Sequence, residues 1–183
     1  MRLSTERGFF FLQAWAAFEL GWARAQQGEA EEGIAQMLQG VAGWRSTGME
    51  VGILGFLALI AEAYGKARQA EKGLGLCKEA LDQTERTSEA YWEAEGHRVK
   101  GELLQSTGRL SDAEASFRHA IEVARHQKAK SWELRATLSL SRLLQEEGRS
   151  QEARPLLSEI YGWFTEGFDT PDLKEARALL DVL

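Results

Sequence analysis

A self-similar spacing of 40 residues constrains this chain more than any other feature. Positions 21, 61, 101 and 141 hold Gly, Ala, Gly and Ser, and positions 33, 73, 113 and 153 hold Gly, Gly, Ala and Ala, so both columns are small throughout. Positions 37, 77, 117 and 157 hold Met, Cys, Phe and Leu, an apolar column. Leu20, Ile60 and Leu140 form a further column, with Lys100 as its exception. Gly28, Gly108 and Gly148 fall in register as turn signals, and Arg68 takes that place in the second copy. A fixed period of this length marks stacked supersecondary units, each burying its apolar face on its neighbours.

The unit reads as two antiparallel helices. Ala, Leu and Glu number 25, 24 and 23 of 183 residues, against 5 Val and 5 Ile. That balance favours helix over strand, because strands recruit β-branched residues. In the third copy the helices are expected over 89–107 and 110–127, with Ser111-Asp112-Ala113-Glu114 as a capping box at the second. The small columns fall midway along the first helix and early in the second. Glycine inside a helix costs about 1 kcal/mol relative to alanine. Its repeated use there implies a packing gain, with the helices of a hairpin approaching closely and the large column filling the next layer.

These columns resemble the tetratricopeptide repeat (TPR), whose small, small, large and Ala positions correspond to the columns at 21, 33, 37 and 40, the last read here as Gly40, Ala80, Ala120 and Ile160. The period is 40 rather than 34, and the closing proline of that family is absent, which implies helices about a turn longer. The resemblance implies an all-α, right-handed superhelical solenoid of about four hairpins, over 9–48, 49–88, 89–128 and 129–168. Residues 1–8 would form an N-terminal extension outside this single domain at 9–183. The stretch 153–176 is similar to the extreme C-terminus of large bacterial signalling proteins. Those proteins join a nucleotide cyclase or DNA-binding module, an ATPase and a helical-repeat tail. Their catalytic modules would lie outside this chain, so no catalytic residue carries over.

The tail also has a physical reading. Gly167 is placed to end a helix in the left-handed conformation, with Phe168 folding back near Trp163. Thr170-Pro171-Asp172 then starts a capping helix over 171–183, with Thr170 as N-cap and proline at the first helical position. Pro155 lies inside the preceding helix and predicts a late start or a kink there.

Several function classes are excluded or disfavoured. The lone Cys77 forms no intrachain disulfide and, in the large apolar column, reads as a buried inert thiol. The longest apolar run, 51–61, is about half the roughly 20 residues of a membrane span. The N-terminus lacks the pattern of a secretory signal, and a cytoplasmic protein is expected. A net charge of −6 argues against bulk affinity for nucleic acid or anionic membrane. The basic segment from Arg118 through Arg125, His126, Lys128 and Lys130 to Arg135 is interleaved with Glu114, Glu122 and Glu133, and reads as a solvated hairpin junction. Gly65-Lys66 is no phosphate-binding loop, and Gly73-Leu74-Gly75 no dinucleotide fingerprint. His119 and His126 stand seven apart, about 10 Å along a helix, too far to share one metal ion. No cofactor, metal or catalytic group is expected.

The candidate binding residues lie on first helices. Trp15, Phe18 and Trp22 follow the helical spacing i, i+3, i+7. In a TPR-like unit such positions line the concave groove, continuing through Glu62 and Lys66, then Glu95, Arg98 and Glu102, then Arg135, Arg142 and Glu146. An aromatic end and a charged floor suit an extended peptide or a partner helix. Two alternatives stay open: the aromatics pack against Phe9, Phe10 and Phe11 or a preceding repeat, and the charges form an ordinary solvated face. The expected function is a non-catalytic protein or peptide scaffold, the regulatory tail of a bacterial signalling ATPase. The alternatives are a small-molecule sensor and a homodimerisation module.

Overall fold

A computed structural model describes residues 9–87 and 90–183. Among these the secondary structure is helical, in the order α1 (Phe10–Gln26), α2 (Ala30–Ser46), α3 (Ile53–Lys66), α4 (Ala70–Thr87), a 3-10 turn (Ala90–Trp92), α5 (Glu93–Ser106), α6 (Leu110–His126), α7 (Lys130–Glu146), α8 (Ser150–Tyr161) and α9 (Pro171–Val182). The proposed extension at 1–8 lies outside the described residues. No helix among the described residues is long and apolar enough to cross a membrane.

Turn chemistry sets the period. Gly28, Arg68, Gly108 and Gly148 all adopt positive φ, at 98°, 57°, 79° and 75°. The next residue then donates its amide back into the finished helix, Gln69 to the Tyr64 carbonyl at 2.9 Å and Arg109 to that of Leu104 at 3.0 Å. This left-handed close satisfies the last free carbonyls. Gly48 and Lys128 repeat the positive φ half a period on. The following helix begins within one or two residues of these turns inside each hairpin, which leaves no room for the capping box. Arg109 is the N-cap of α6, and Ser111 lies inside the helix.

The chain divides into two compact units, one through Trp92 and one from Glu93. In the first, α1 packs on α2, α3 on α4, and α3 also on α1 and α2. Gly21 and Gly33 mark the closest approach. A Cβ on either would lie 2.7 or 2.5 Å from the other's carbonyl oxygen. Phe18, Ile34, Met37, Val41 and Ile60 form the core beside this crossing. The third repeat starts later than the sequence suggested. Residues 90–92 form a 3-10 turn, and the Trp92 ring lies where a Cβ on Gly55 would be, 2.4 Å away. That contact ties Trp92 to α3.

In the second unit, α5 packs on α6, α7 on α8, and α7 also on α5 and α6. The Phe117 ring occupies the place of a Gly101 side chain. α9 covers α8 and α7 through Leu173, Ala176 and Leu179, which join Leu134, Leu138, Leu157 and Ile160 in one cluster. Thr170 is the extended N-cap of α9 with Pro171 following, but its hydroxyl donates to the Gly167 carbonyl at 2.7 Å rather than capping the helix. Two details of the tail differ from expectation. α8 begins in register at Ser150 despite Pro155 and ends at Tyr161, well before the left-handed Gly167. Phe168 packs on Tyr161, with ring centroids 5.7 Å apart, while Trp163 meets Phe164.

Candidate functional site

The first unit separates its aromatic stripe into two roles. The three share one side of α1, but Phe18 lies at the stripe's inward edge and Trp15 and Trp22 at its outward edge. Phe18 is fully buried and stacks on Phe56 at 4.2 Å, so its reading as a groove anchor is corrected: it belongs to the core. Trp15 and Trp22 remain 47% and 36% exposed, among Phe10, Phe11, Leu12 and Leu20 on the same helix. Trp15 is held in place. Its indole donates to Glu19 at 2.8 Å, and its ring meets Trp44 edge-on at 6.2 Å. Trp44 in turn meets Phe56 at 5.4 Å, so an exposed indole is braced through the core. Glu62 and Lys66 pair at 3.2 Å on α3, and the Lys66 ammonium also reaches the Gln26 side chain at the end of α1.

In the second unit the charges selected from the sequence meet across α5 and α7. Glu95 and Arg98 are both buried. Arg98 grips Glu95 with two bonds of 2.8 Å, and its other terminal nitrogen bonds Glu102. Arg135 reaches from α7 to Glu95 at 3.0 Å, and the Ser139 hydroxyl donates to Glu102 at 3.1 Å. Two guanidinium groups and two carboxylates thus form a neutral set, with every charge facing its opposite. Burial is tolerable on those terms, because an unpaired ion inside a protein is strongly destabilising. Glu95 and Arg98 are therefore a structural rivet, which corrects their reading as an open groove floor. Glu102 and Arg135 keep partial exposure, and Arg135 also lies over the Trp132 ring at 5.4 Å. Arg142 pairs with Glu175 of α9, and Glu146 accepts from Gln105 at 2.8 Å.

Two ionic sites emerge whose pairing the sequence did not show. Buried Glu133 accepts from Arg125 and Lys130, each at 2.7 Å, at the turn between α6 and α7. Arg149 binds Glu114, Glu147 and Glu152 at 2.7, 2.9 and 2.9 Å. Hydrogen bonds from Arg149 hold the Glu114 and Glu152 carboxyls below the usual carboxylate range. The basic segment is thus largely neutralised by its own glutamates, with Arg118 on Glu114 at 2.7 Å. The only available signal was the interleaving of Glu with Arg and Lys; which ones pair depends on helix rotation. A cavity of about 130 Å³ is lined by Arg118 and Ile121 of α6, Thr137 and Leu140 of α7 and Leu156 of α8. Drug-sized ligands need roughly 300–1,000 Å³.

No known protein-family model matches the chain. In sequence, 124 residues, 67% of the chain, are 32% identical to an uncharacterised protein of Rhizobium meliloti (strain 1021). The match covers 12% of that protein, so the chain spans a small part of the length of this curated relative. In structure the chain is similar to the nearly identical TPR-like repeats attributed to a kinesin light chain of Podosopora anserina. The TM-score is 0.69 at 18% identity, covering 92% of this chain and 83% of that one. A single-substitution form of the same repeats gives 0.70 at 17% identity with the same coverage. The paired helices, the small-residue crossings and these likenesses together make the fold all-α and TPR-like.

Proposed function

We propose that this chain is a non-catalytic interaction module that holds a protein or peptide partner, with Trp15 and Trp22 as its anchors. The observation that carries this reading is a cluster of exposed aromatics on α1: Phe11, Trp15 and Trp22 lie within about 40° of one another around the helix and all reach solvent. Exposed aromatics grouped on one side of a helix mark interaction sites more often than scattered single apolar residues do. A braced indole loses little freedom on binding, and tryptophan is enriched among residues that dominate interfaces. The TPR-like fold supports the same reading, since such folds commonly mediate protein–protein interaction.

The module serves as the regulatory, cytoplasmic part of a larger bacterial signalling ATPase, either within one polypeptide or beside it. What supports this is the resemblance of residues 153–176 to the ends of such proteins and the much greater length of the Rhizobium relative. Reading the genome upstream of the Met1 codon tests it: an ATPase or cyclase module is expected there, and an unrelated gene sinks this part. For the anchors, peptides selected from a displayed library on the intact chain are titrated against Trp15→Ala/Trp22→Ala. Loss of two anchors at about 2 kcal/mol each, if additive, weakens binding by roughly 700-fold. Equal affinity for the double variant removes α1 from the interface. The same aromatic cluster favours self-association as a second reading, and light scattering that shows a monomer at every concentration rejects it.

A further inference from the structure

The fold assembles a group of side chains that sequence spacing kept apart. Glu93 and His97 are four residues apart on α5, so they stand one above the other on one face. His119 comes from α6, and its ring meets that of His97 edge-on with centroids 4.3 Å apart. One ligand atom from each of the three lies within 4.8 Å of the other two. Glu93 and His97 are half-buried and His119 is exposed, so the group opens to solvent on one side.

We propose that Glu93, His97 and His119 bind one divalent transition-metal ion of the zinc class. Two imidazoles and one carboxylate suit zinc and its neighbours in the first transition row, whereas magnesium and calcium prefer all-oxygen sites. Ligand bonds of about 2.0–2.2 Å require the three groups to close by small side-chain rotations. The exposed His119 is free to make that movement. With three protein ligands and an open outward side, the fourth position falls to water, the arrangement of a zinc site that can bind a further ligand. His97 is half-buried against His119 and lies near Lys100. Glu122 lies 3.6 Å from Nδ1 of His119, where a carboxylate can hold the ring while Nε2 takes the metal. The Lys100 charge opposes a cation and leaves the affinity below that of a fully anionic site.

The test uses the full chain without a polyhistidine tag, titrated with zinc chloride by calorimetry at neutral pH. One zinc ion per chain is expected, and an excess of magnesium or calcium should not displace it. His119→Gln and Glu93→Gln should each weaken binding by at least about tenfold, since even outer partners of a metal site cost 10–100-fold. His126→Gln, which removes the remaining exposed imidazole of α6, should leave it unchanged, with circular dichroism reporting that every variant stays folded. Three results overturn the proposal: no saturable zinc binding, equal weakening by His126→Gln and His119→Gln, or displacement by calcium at matched concentration.

Discussion

Gly101 and Gly75 are the same residue type inside helices, yet they answer to opposite forces. A Cβ on Gly101 would lie 2.4 Å from one Phe117 ring carbon and 2.5 Å from another, and Phe117 is fully buried with nowhere to move. Gly75 is exposed on α4 with nothing within 4 Å of the same position. Gly101→Ala should therefore destabilise by about 1–3 kcal/mol through overpacking. Gly75→Ala should stabilise by about 0.5–1 kcal/mol through helix propensity and reduced chain entropy. Thermal unfolding of the two variants should show melting points moving in opposite directions; a rise for Gly101→Ala would mean the crossing is loose. The fourth copy of this column carries Ser141, fully buried with no protein partner for its hydroxyl, so small size rather than polarity is what the position selects.

The contact between α5 and α7 depends on charge as much as on shape. Arg98→Ala would leave buried Glu95 with Arg135 as its remaining counter-ion among the described residues, and would free Glu102 from its closest cation. Breaking such a pair costs about 3–5 kcal/mol, whereas replacing both partners with apolar residues of like volume is often near neutral. Urea unfolding should show Arg98→Ala losing a few kcal/mol and Glu95→Leu/Arg98→Met recovering most of it. A loss below about 1 kcal/mol for the single variant would mean the pair is solvated. The sequence supplied these residues with correct spacing on each helix. It placed Arg98 beside Glu95 and Glu102 on α5, but did not supply Arg135 or Ser139 of α7 as their partners, because pairing across helices depends on how far each helix is rotated about its axis. The aromatic stripe shows the same limit: the i, i+3, i+7 pattern could not separate the inward Phe18 from the outward Trp15 and Trp22.

For the molecule as a whole, 28 acidic and 22 basic side chains make acid the condition that most redistributes charge. The Arg149 cluster gives a signed expectation. Glu114 and Glu152 are held below the ordinary carboxylate range in the folded chain by their bonds to Arg149. Their contribution to stability is therefore complete above the unfolded value of about 4.3 and is lost as pH falls through the lower folded values. Arg149→Gln should be less stable than the natural chain by a constant amount from neutral pH to about 5, with the gap closing below about 4. Chemical unfolding at a series of pH values measures it. A gap unchanged down to about pH 3 would mean that Arg149 acts by packing alone.

The sequence by itself determined the periodic layout. Small and large columns 40 residues apart, and turns at 28, 68, 108 and 148, reflect helix length and left-handed turn geometry, which are local and repeat with the chain. Even Arg68, not a glycine, follows the register of its copies. Local signals failed where two of them competed: the left-handed turns start the next helix before Ser111 can cap it, and Trp92, within a 3-10 turn, packs on Gly55 of α3. Only the tertiary structure decided which charges are buried, which indoles face solvent, and that His119 meets His97 from another helix rather than His126 on its own. Those outcomes depend on the crossing and rotation of helices, set by the sum of many packing contacts. No single spacing along the chain encodes that sum.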